Sequence, residues 1–314
     1  MTVDGQDGAA CSVLLSTVNF LSSPHDPFLL DPRAIRRSFD SASGGFDAAA
    51  AVHAEIRARL LERLDVVRMD PAVVVDLGAG TGHASRALKD RYSSAQVVAA
   101  DFAPRMLVQA AKQQRLLRRF VRVATDAHQL ALRSGSVDMV FSNLMLQWSH
   151  DPDAVFREVR RVLKPNGLLT FTTLGPDTLR ELRAAWSKID TYIHVHRFID
   201  MHDLGDALLR AGFAEPVMDT ERLTITYPNL DGLLQELICS GSHNLALGRR
   251  HGLTARSALT ALGQNYEELR SDGTLPVSLE VVYGHAWTGQ GERPAKGGGG
   301  EVRVPVASVR RRGA

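Results

Sequence analysis

The chain has only two cysteines in 314 residues, Cys11 and Cys239, which excludes a disulfide-stapled fold and fits a reducing compartment. A cytoplasmic protein is therefore expected. It also lacks charge of one dominant sign: 37 Lys and Arg stand against 35 Asp and Glu, a net +2. Neither nucleic acid nor a membrane surface is expected as partner on that balance, and any electrostatic recognition has to be local. Long hydrophobic runs are missing as well. The apolar stretch Cys11 to Leu21 follows Asp4 and Asp7 rather than a basic segment and is too short and polar to span a bilayer, so no signal peptide or transmembrane helix is expected. Aromatic residues make up 6% of the chain and there is no internal repeat, yet 44% of residues are apolar. That content suffices for one full core with a smaller accessory layer.

Residues 1–30 lack periodicity and include Ser22, Ser23, Pro24 and Pro27, so they read as a loose leader. Residues 289–314 read as a disordered glycine-rich basic tail, which leaves 31–288 as the folded domain. Within it, short Val-rich runs alternate with stretches of helical period, the pattern of β-α-β units. Strands are expected at Val73–Asp76, Gln96–Asp101, Arg119–Ala124, Val137–Ser142 and Gly167–Thr173. A helix is expected over Pro152–Leu163, with Lys164, Pro165, Asn166 and Gly167 ending it. Another is expected through Leu179, Leu182, Trp186 and Ile189, with Pro176 in its first turn. Helices near Leu230–Ile238 and Thr254–Leu269 separate two β-branched segments, Arg222–Tyr227 and Val277–Trp287. The expected fold is a doubly wound α/β sheet, mostly parallel, finished by an antiparallel strand pair.

The sharpest local signal is Val73-Val74-Val75-Asp76-Leu77-Gly78-Ala79-Gly80-Thr81-Gly82, a strand running into three glycines and then a helix near His83. Glycines there permit tight turning and close approach of a ligand. A dinucleotide fingerprint would place glycine where His83 stands. Asp76 also argues against a pyrophosphate, which it would repel, and for a ligand with a cationic amino-acid group such as S-adenosylmethionine. Asp101 ends the second strand, placed to accept from ribose hydroxyls, and Asp126 follows at the end of the third, placed to meet an adenine edge. Aspartate is also a common capping residue, and the spacing strand by strand is what favours a nucleoside cofactor.

Together DLGAGTG, AADFAPRML, ATDAHQLAL, VDMVFSNLMLQW and FREVRRVLKPNGLLTFTTLG resemble the class I methyltransferases, over roughly Arg33 to Trp287. The resemblance implies S-adenosylmethionine bound by Asp76, Gly78, Ala79, Gly80, Gly82, Asp101, Phe102, Asp126, Ala127 and Asn143. More narrowly, RRSFDSASGGFDAAAAVH, SNLMLQW, LGPDTLRELRAAW, HVHRF and LPVSLEVVYGHAW resemble the malonyl-acyl-carrier-protein O-methyltransferases of biotin synthesis. That resemblance implies an N-terminal helical lid in which Phe46, where the family usually has tyrosine, lies over the active site to stack or close. It implies Gln147 and Trp148 near the methyl-transfer site and Arg197 as a substrate-facing residue. A carboxylate acceptor needs no general base, only alignment and a donor to hold it, and Arg197 offers a planar charged fork. Trp148 could equally be a packed core aromatic, and Arg197 a surface arginine. His194 and His196 flank Arg197 and are expected to line its loop rather than hold a metal.

The implied partner is an acyl-carrier protein bearing malonyl-phosphopantetheine, and a monomer is expected. An acidic carrier would meet basic surface, for which Arg33, Arg36 and Arg37, the run Lys112, Arg115, Arg118, Arg119 and Arg122, and Arg249, Arg250 and His251 are candidates. Two other readings stay open: methylation of a quinone precursor, and an assembly factor or arginine hydroxylase of the mitochondrial complex I type, which LGPDTLRELR and DLGDALLRAGF also resemble.

Overall fold

The structure is a computed structural model that describes residues 26–250 and 252–289. The elements run α1 (Pro32–Ala42), α2 (Ala51–Glu62), β1 (Val73–Leu77), α3 (His83–Arg91), β2 (Gln96–Asp101), α4 (Pro104–Ala110), β3 (Val121–Ala124), β4 (Val137–Asn143), α5 (Pro152–Val162) and β5 (Leu163–Leu174). They continue as α6 (Arg180–Ser187), α7 (Met201–Arg210), β6 (Ala214–Tyr227), α8 (Leu230–Cys239), α9 (Arg256–Glu267) and β7 (Leu275–Trp287). The seven strands form one sheet in the order β3-β2-β1-β4-β5-β7-β6. The first five are parallel, and β7 runs antiparallel to both of its neighbours. The strand order reverses between β1 and β4, so a crevice opens at their carboxyl ends, the place where open α/β sheets bind ligands.

Alternation along the Val-rich strands explains the two layers. Val75, Val98 and Val140 face α5 and α7, whereas Val74, Val97 and Met139 face α2, α3 and α4. In α5 the Asp151 carboxylate accepts from the Ala154 N–H, Pro152 opens the helix, and Val155, Phe156, Val159 and Val162 are buried. A third cluster joins α6, α8 and α9 to the far ends of β6 and β7, around Trp186, Leu233, Leu262 and Tyr266. It makes a lobe beyond the carboxyl ends of the parallel strands. Helix α1, the 3-10 turn Phe46–Ala49 and α2 form a lid. Among the described residues no helix is long and apolar enough to cross a membrane.

The fold class is as expected, and several boundaries are corrected. The third strand starts at Val121 rather than Arg119, because the Gln114 side-chain amide bonds both the N–H and the carbonyl of Phe120 in place of a strand partner. Asp126 therefore lies two residues beyond that strand, in a turn closed by the Gln129 N–H on its carbonyl. Helix α5 stops at Val162; residues 163–167 belong to β5 but carry a register shift, with Asn166 at φ 58°, before regular pairing resumes at Leu168. Pro176 is not in a helical first turn. Glu280 of β7 accepts from the Asp177 N–H and Ser278 from the Leu179 N–H, and these tethers delay α6 until Arg180. Strand β6 starts at Ala214, eight residues earlier than Arg222, because β7 offers a partner along that whole length. Residues 26–30 lie against 245–248, with Leu30 buried and bridged to Ala246; the rest of the proposed leader, 1–25, and the tail from 290 onward lie outside the described residues.

Candidate active site

The glycine loop turns because three residues take φ values that only glycine adopts freely, Gly78 at 75°, Gly80 at 53° and Gly82 at 83°. Each has a different neighbour. A Cβ on Gly78 would fall 2.5 Å from Met145, one on Gly82 would fall 2.7 Å from Ala110 Cβ, and one on Gly80 would meet open space. Gly78 thus lets the loop approach the β4 end, Gly82 packs α3 on α4, and Gly80 leaves room for a ligand.

That room is a cavity at the carboxyl ends of β1, β2 and β4. Its walls include Gly78, Gly80, Asp101, Phe102, Asp126, Ala127 and Asn143 from the sheet side and Phe39 and Phe46 from the lid, and Trp148 lies at its edge. Ala79, Gly82, Asp76 and Arg197 are not on its surface. Asp76 lies beneath the loop, 1% exposed, and accepts from Ser85 Oγ at 2.5 Å. Burial pushes its carboxyl up to about 7, against the Ser85 bond and with help from the negative charge of Asp101. Asp101 faces the cavity while accepting from the N–H groups of Gly80 at 2.8 Å and Ala103 at 2.7 Å. Burial raises its carboxyl to about 6 despite those bonds. Each carboxylate oxygen of Asp101 keeps acceptor capacity for a hydroxyl pair. Burial also works to raise Asp126, but the His128 N–H and ring nitrogen, the latter at 2.7 Å, outweigh it and hold the carboxyl below its ordinary value.

The lid is tied down at several points. Asp47 accepts from Thr81 Oγ1 at 2.6 Å and lies 3.1 Å from His83 Nε2, which joins the lid to the glycine loop. Asn143 Nδ2 donates to the His53 carbonyl at 3.2 Å, and Asp40 accepts from the Arg105 N–H.

A second cavity lies in the lobe beyond the sheet and shares His53, Leu144 and Trp148 with the first as a common wall. Its lining is mostly apolar, with Gln147, His194, His196, His243 and Asn244 among the polar residues, and it contains no Lys or Arg. Its one charged residue, Glu236, lies beside Tyr227 and helps to raise the phenol's pKa. Leu144, at φ 53°, turns the chain between the two cavities, and its N–H bonds Thr172. Gln147 spends its amide on the Leu144 carbonyl and Thr173, so it braces this turn. Arg197 points away from the cavity that its neighbours His196 and Phe198 line; its guanidinium lies 4.3 Å from the Phe28 ring centroid. The run Lys112 to Arg122, which lacks an acid in sequence, gains one in space, because Arg115 and Arg118 both reach Asp90, at 3.5 Å and 3.4 Å. His53 was not singled out by sequence. Nothing in the period of α2 marks it, and its place at the shared wall comes from how the lid folds over the sheet.

A doubly wound sheet with this loop and crevice is the fold of the class I methyltransferases, and residues 75–171 match the family described as a methyltransferase domain. A Haemonchus contortus phosphoethanolamine N-methyltransferase 2, solved with S-adenosyl-L-methionine, superposes with TM-score 0.52 at 17% identity, over 80% of this chain and 57% of that one, a likeness of fold. Closer in sequence is the malonyl-[acyl-carrier protein] O-methyltransferase of Methylovorus sp., 48% identical over 84% of this chain and 92% of its own length. That of Halorhodospira halophila is 43% identical over 92% and 99% respectively. The chain belongs to the malonyl-[acyl-carrier protein] O-methyltransferase family.

Proposed function

We propose that the protein transfers the methyl group of S-adenosylmethionine to the free carboxylate of malonyl-acyl-carrier protein, giving the methyl ester for biotin synthesis, as a cytoplasmic monomer whose catalytic domain spans 31–288. The observation that carries this is the wall shared by a nucleoside-type cavity and an apolar cavity, at His53, Leu144 and Trp148. The residues present fit the cofactor. Gly80 leaves open space, Asp101 presents a carboxylate at the end of β2, and Phe102, Met106 and Ala127 offer apolar surface for a purine. Asp76 acts from outside the cavity, through its bond to Ser85 in the first turn of α3, the helix that the loop opens. Neither the quinone-precursor nor the assembly-factor reading gains support from the relatives, which carry the malonyl-carrier name.

When bound, S-adenosylmethionine supplies a methyl group already activated on a sulfonium centre, so a carboxylate acceptor needs no base. The chain's own part is to align the acceptor at the shared wall and to keep water away. Phe39 and Phe46 close the lid side, and Phe39 stacks edge-on against Trp148 at 5.1 Å. The apolar acceptor cavity favours a reaction that removes the carboxylate's charge, because the charged reactant is the form least stabilised there.

The segment 245–248 pairs antiparallel with 27–31, so that Arg33, Arg36 and Arg37 follow one end of this pairing and Arg249 and Arg250 the other. An acidic carrier docking at either end would bind more weakly as salt rises. For Arg197 to hold the thioester carbonyl it must leave Phe28, a contact worth about 1 kcal/mol. Arg197→Ala is expected to raise KM for the carrier substrate and leave cofactor affinity unchanged; unchanged KM would remove Arg197 from the site. The direct test incubates the protein with labelled S-adenosylmethionine and malonyl-carrier protein. A methyl ester in the mass spectrum supports the function, and bound cofactor without ester refutes it.

A further inference from the structure

Four buried side-chain polar atoms among the described residues have no hydrogen-bond partner: His53 Nδ1, Trp148 Nε1, His196 Nε2 and Tyr92 Oη. Three of the four belong to residues lining the acceptor cavity. Buried polar groups in folded proteins are almost always paired, so three orphans on one cavity wall point to a partner that arrives from outside. The indole N–H can only donate, and that partner must therefore offer acceptor oxygen at Trp148. Trp148 and His196 are neighbours, with ring centroids 5.1 Å apart, and Trp148 and His53 both face the two cavities at their common wall.

We infer that Trp148 Nε1, His53 Nδ1 and His196 Nε2 form the donor set that holds the acceptor's carboxylate at the shared wall. The inference rests on the acceptor reading given above. It supplies what the cavity lacks, since no Lys or Arg lines it. Uncharged donors suit the task. A full cation would hold the carboxylate more tightly but would also draw charge from the oxygen that has to attack, whereas N–H groups orient it and offset its loss of water. Burial holds both imidazoles neutral at working pH by lowering each to about 4. Each ring then carries one N–H, and the acceptor's oxygens select the tautomer that donates to them.

The donors can be removed one at a time with little change of shape. Trp148→Phe deletes the N–H and keeps a ring against Phe39. His196→Leu deletes a donor that His196→Gln restores near the Nε2 position, and His53→Leu and His53→Asn do the same for Nδ1. Binding of malonyl-pantetheine and of acetyl-pantetheine, which lacks the carboxylate, is measured by calorimetry alongside S-adenosylmethionine. Loss of one hydrogen bond to a charged group corresponds to about 10- to 100-fold. The deletions are expected to weaken malonyl-pantetheine by that factor while acetyl-pantetheine stays within about twofold, with cofactor affinity also unchanged in the His196 variants, which lie outside the cofactor cavity, and the Gln and Asn variants to recover most of the loss. Equal weakening of both pantetheines, or no weakening of either, overturns the inference. Wild-type protein that binds malonyl-pantetheine through these donors yet forms no ester would sustain the donor set and refute the proposed reaction.

Discussion

The glycine loop makes a quantitative demand at Gly78. The residue sits at φ 75°, and an added Cβ would lie 2.5 Å from both Cβ and Cγ of Met145. An L-residue in that backbone region costs about 1–2 kcal/mol, and overpacking of this kind adds about 1–3 kcal/mol, so Gly78→Ala should lose about 2–5 kcal/mol of stability. Gly135 is the internal control, because it has φ 59° with nothing within 4 Å of its added Cβ. Gly135→Ala should lose only the backbone part, about 1–2 kcal/mol. The two variants also separate function from folding. Met145 lines the cofactor cavity, so displacing it at Gly78→Ala should weaken S-adenosylmethionine binding by about tenfold, whereas Gly135→Ala should leave it unchanged. Urea unfolding gives the stabilities and titration calorimetry the affinities. Equal effects of the two substitutions on both quantities would show that the approach of Met145 to the loop has no energetic weight.

Other expectations follow from neighbouring features. Gly284 of β7 faces Phe171 across the β5 pairing, and an added Cβ would lie 2.2 Å from that ring; Gly284→Ala should cost about 3 kcal/mol in urea unfolding. His53 and His196 take up protons near 6.5 when unfolded but only near 4 when folded, so their contribution to stability is lost as pH falls below 6.5. Asp76 and Asp101, raised to about 7 and about 6, act with the opposite sign, losing stability as pH rises above 3.8, which flattens the wild-type curve. The clean measure is the difference between wild type and His196→Gln. The variant should lose about 2 kcal/mol less between pH 7 and pH 5, and parallel curves would contradict a neutral buried His196. Asp47→Ala removes the link from the lid to Thr81 and His83, so cofactor release in stopped-flow should quicken by about 3- to 10-fold; an unchanged rate would mean the lid does not gate release.

Strands β1, β2 and β4 were legible because they are buried over most of their length and read as apolar runs containing valine, with glycine, aspartate or asparagine marking their carboxyl ends. Gln96–Asp101 and the start of α3 at His83 fall where the pattern puts them. What misled was non-local pairing. Strand β6 gains eight residues from its partner β7, and the start of α6 is set by Glu280 and Ser278, one hundred residues away. The same divide runs through the site. Asp101, Phe102, Asp126 and Asn143 follow strand ends and could be placed from local pattern, whereas the acceptor cavity draws on the lid, the β4 turn and residues 225–244. No spacing in sequence links His53 to Trp148 or His196. Arg197 shows the limit of alternation in an extended loop, since its neighbours face the cavity and it faces Phe28.

The central claim, that the two cavities meet so that a carboxylate in one receives a methyl group from the other, is tested most directly by a single-turnover reaction. Protein preloaded with methyl-labelled S-adenosylmethionine is mixed with malonyl-carrier protein, quenched and read by mass spectrometry. Labelled methyl ester formed in proportion to enzyme, and lost in Trp148→Phe at low carrier concentration, is the predicted result. Cofactor that stays bound and unconsumed in the presence of saturating malonyl-carrier protein would contradict it.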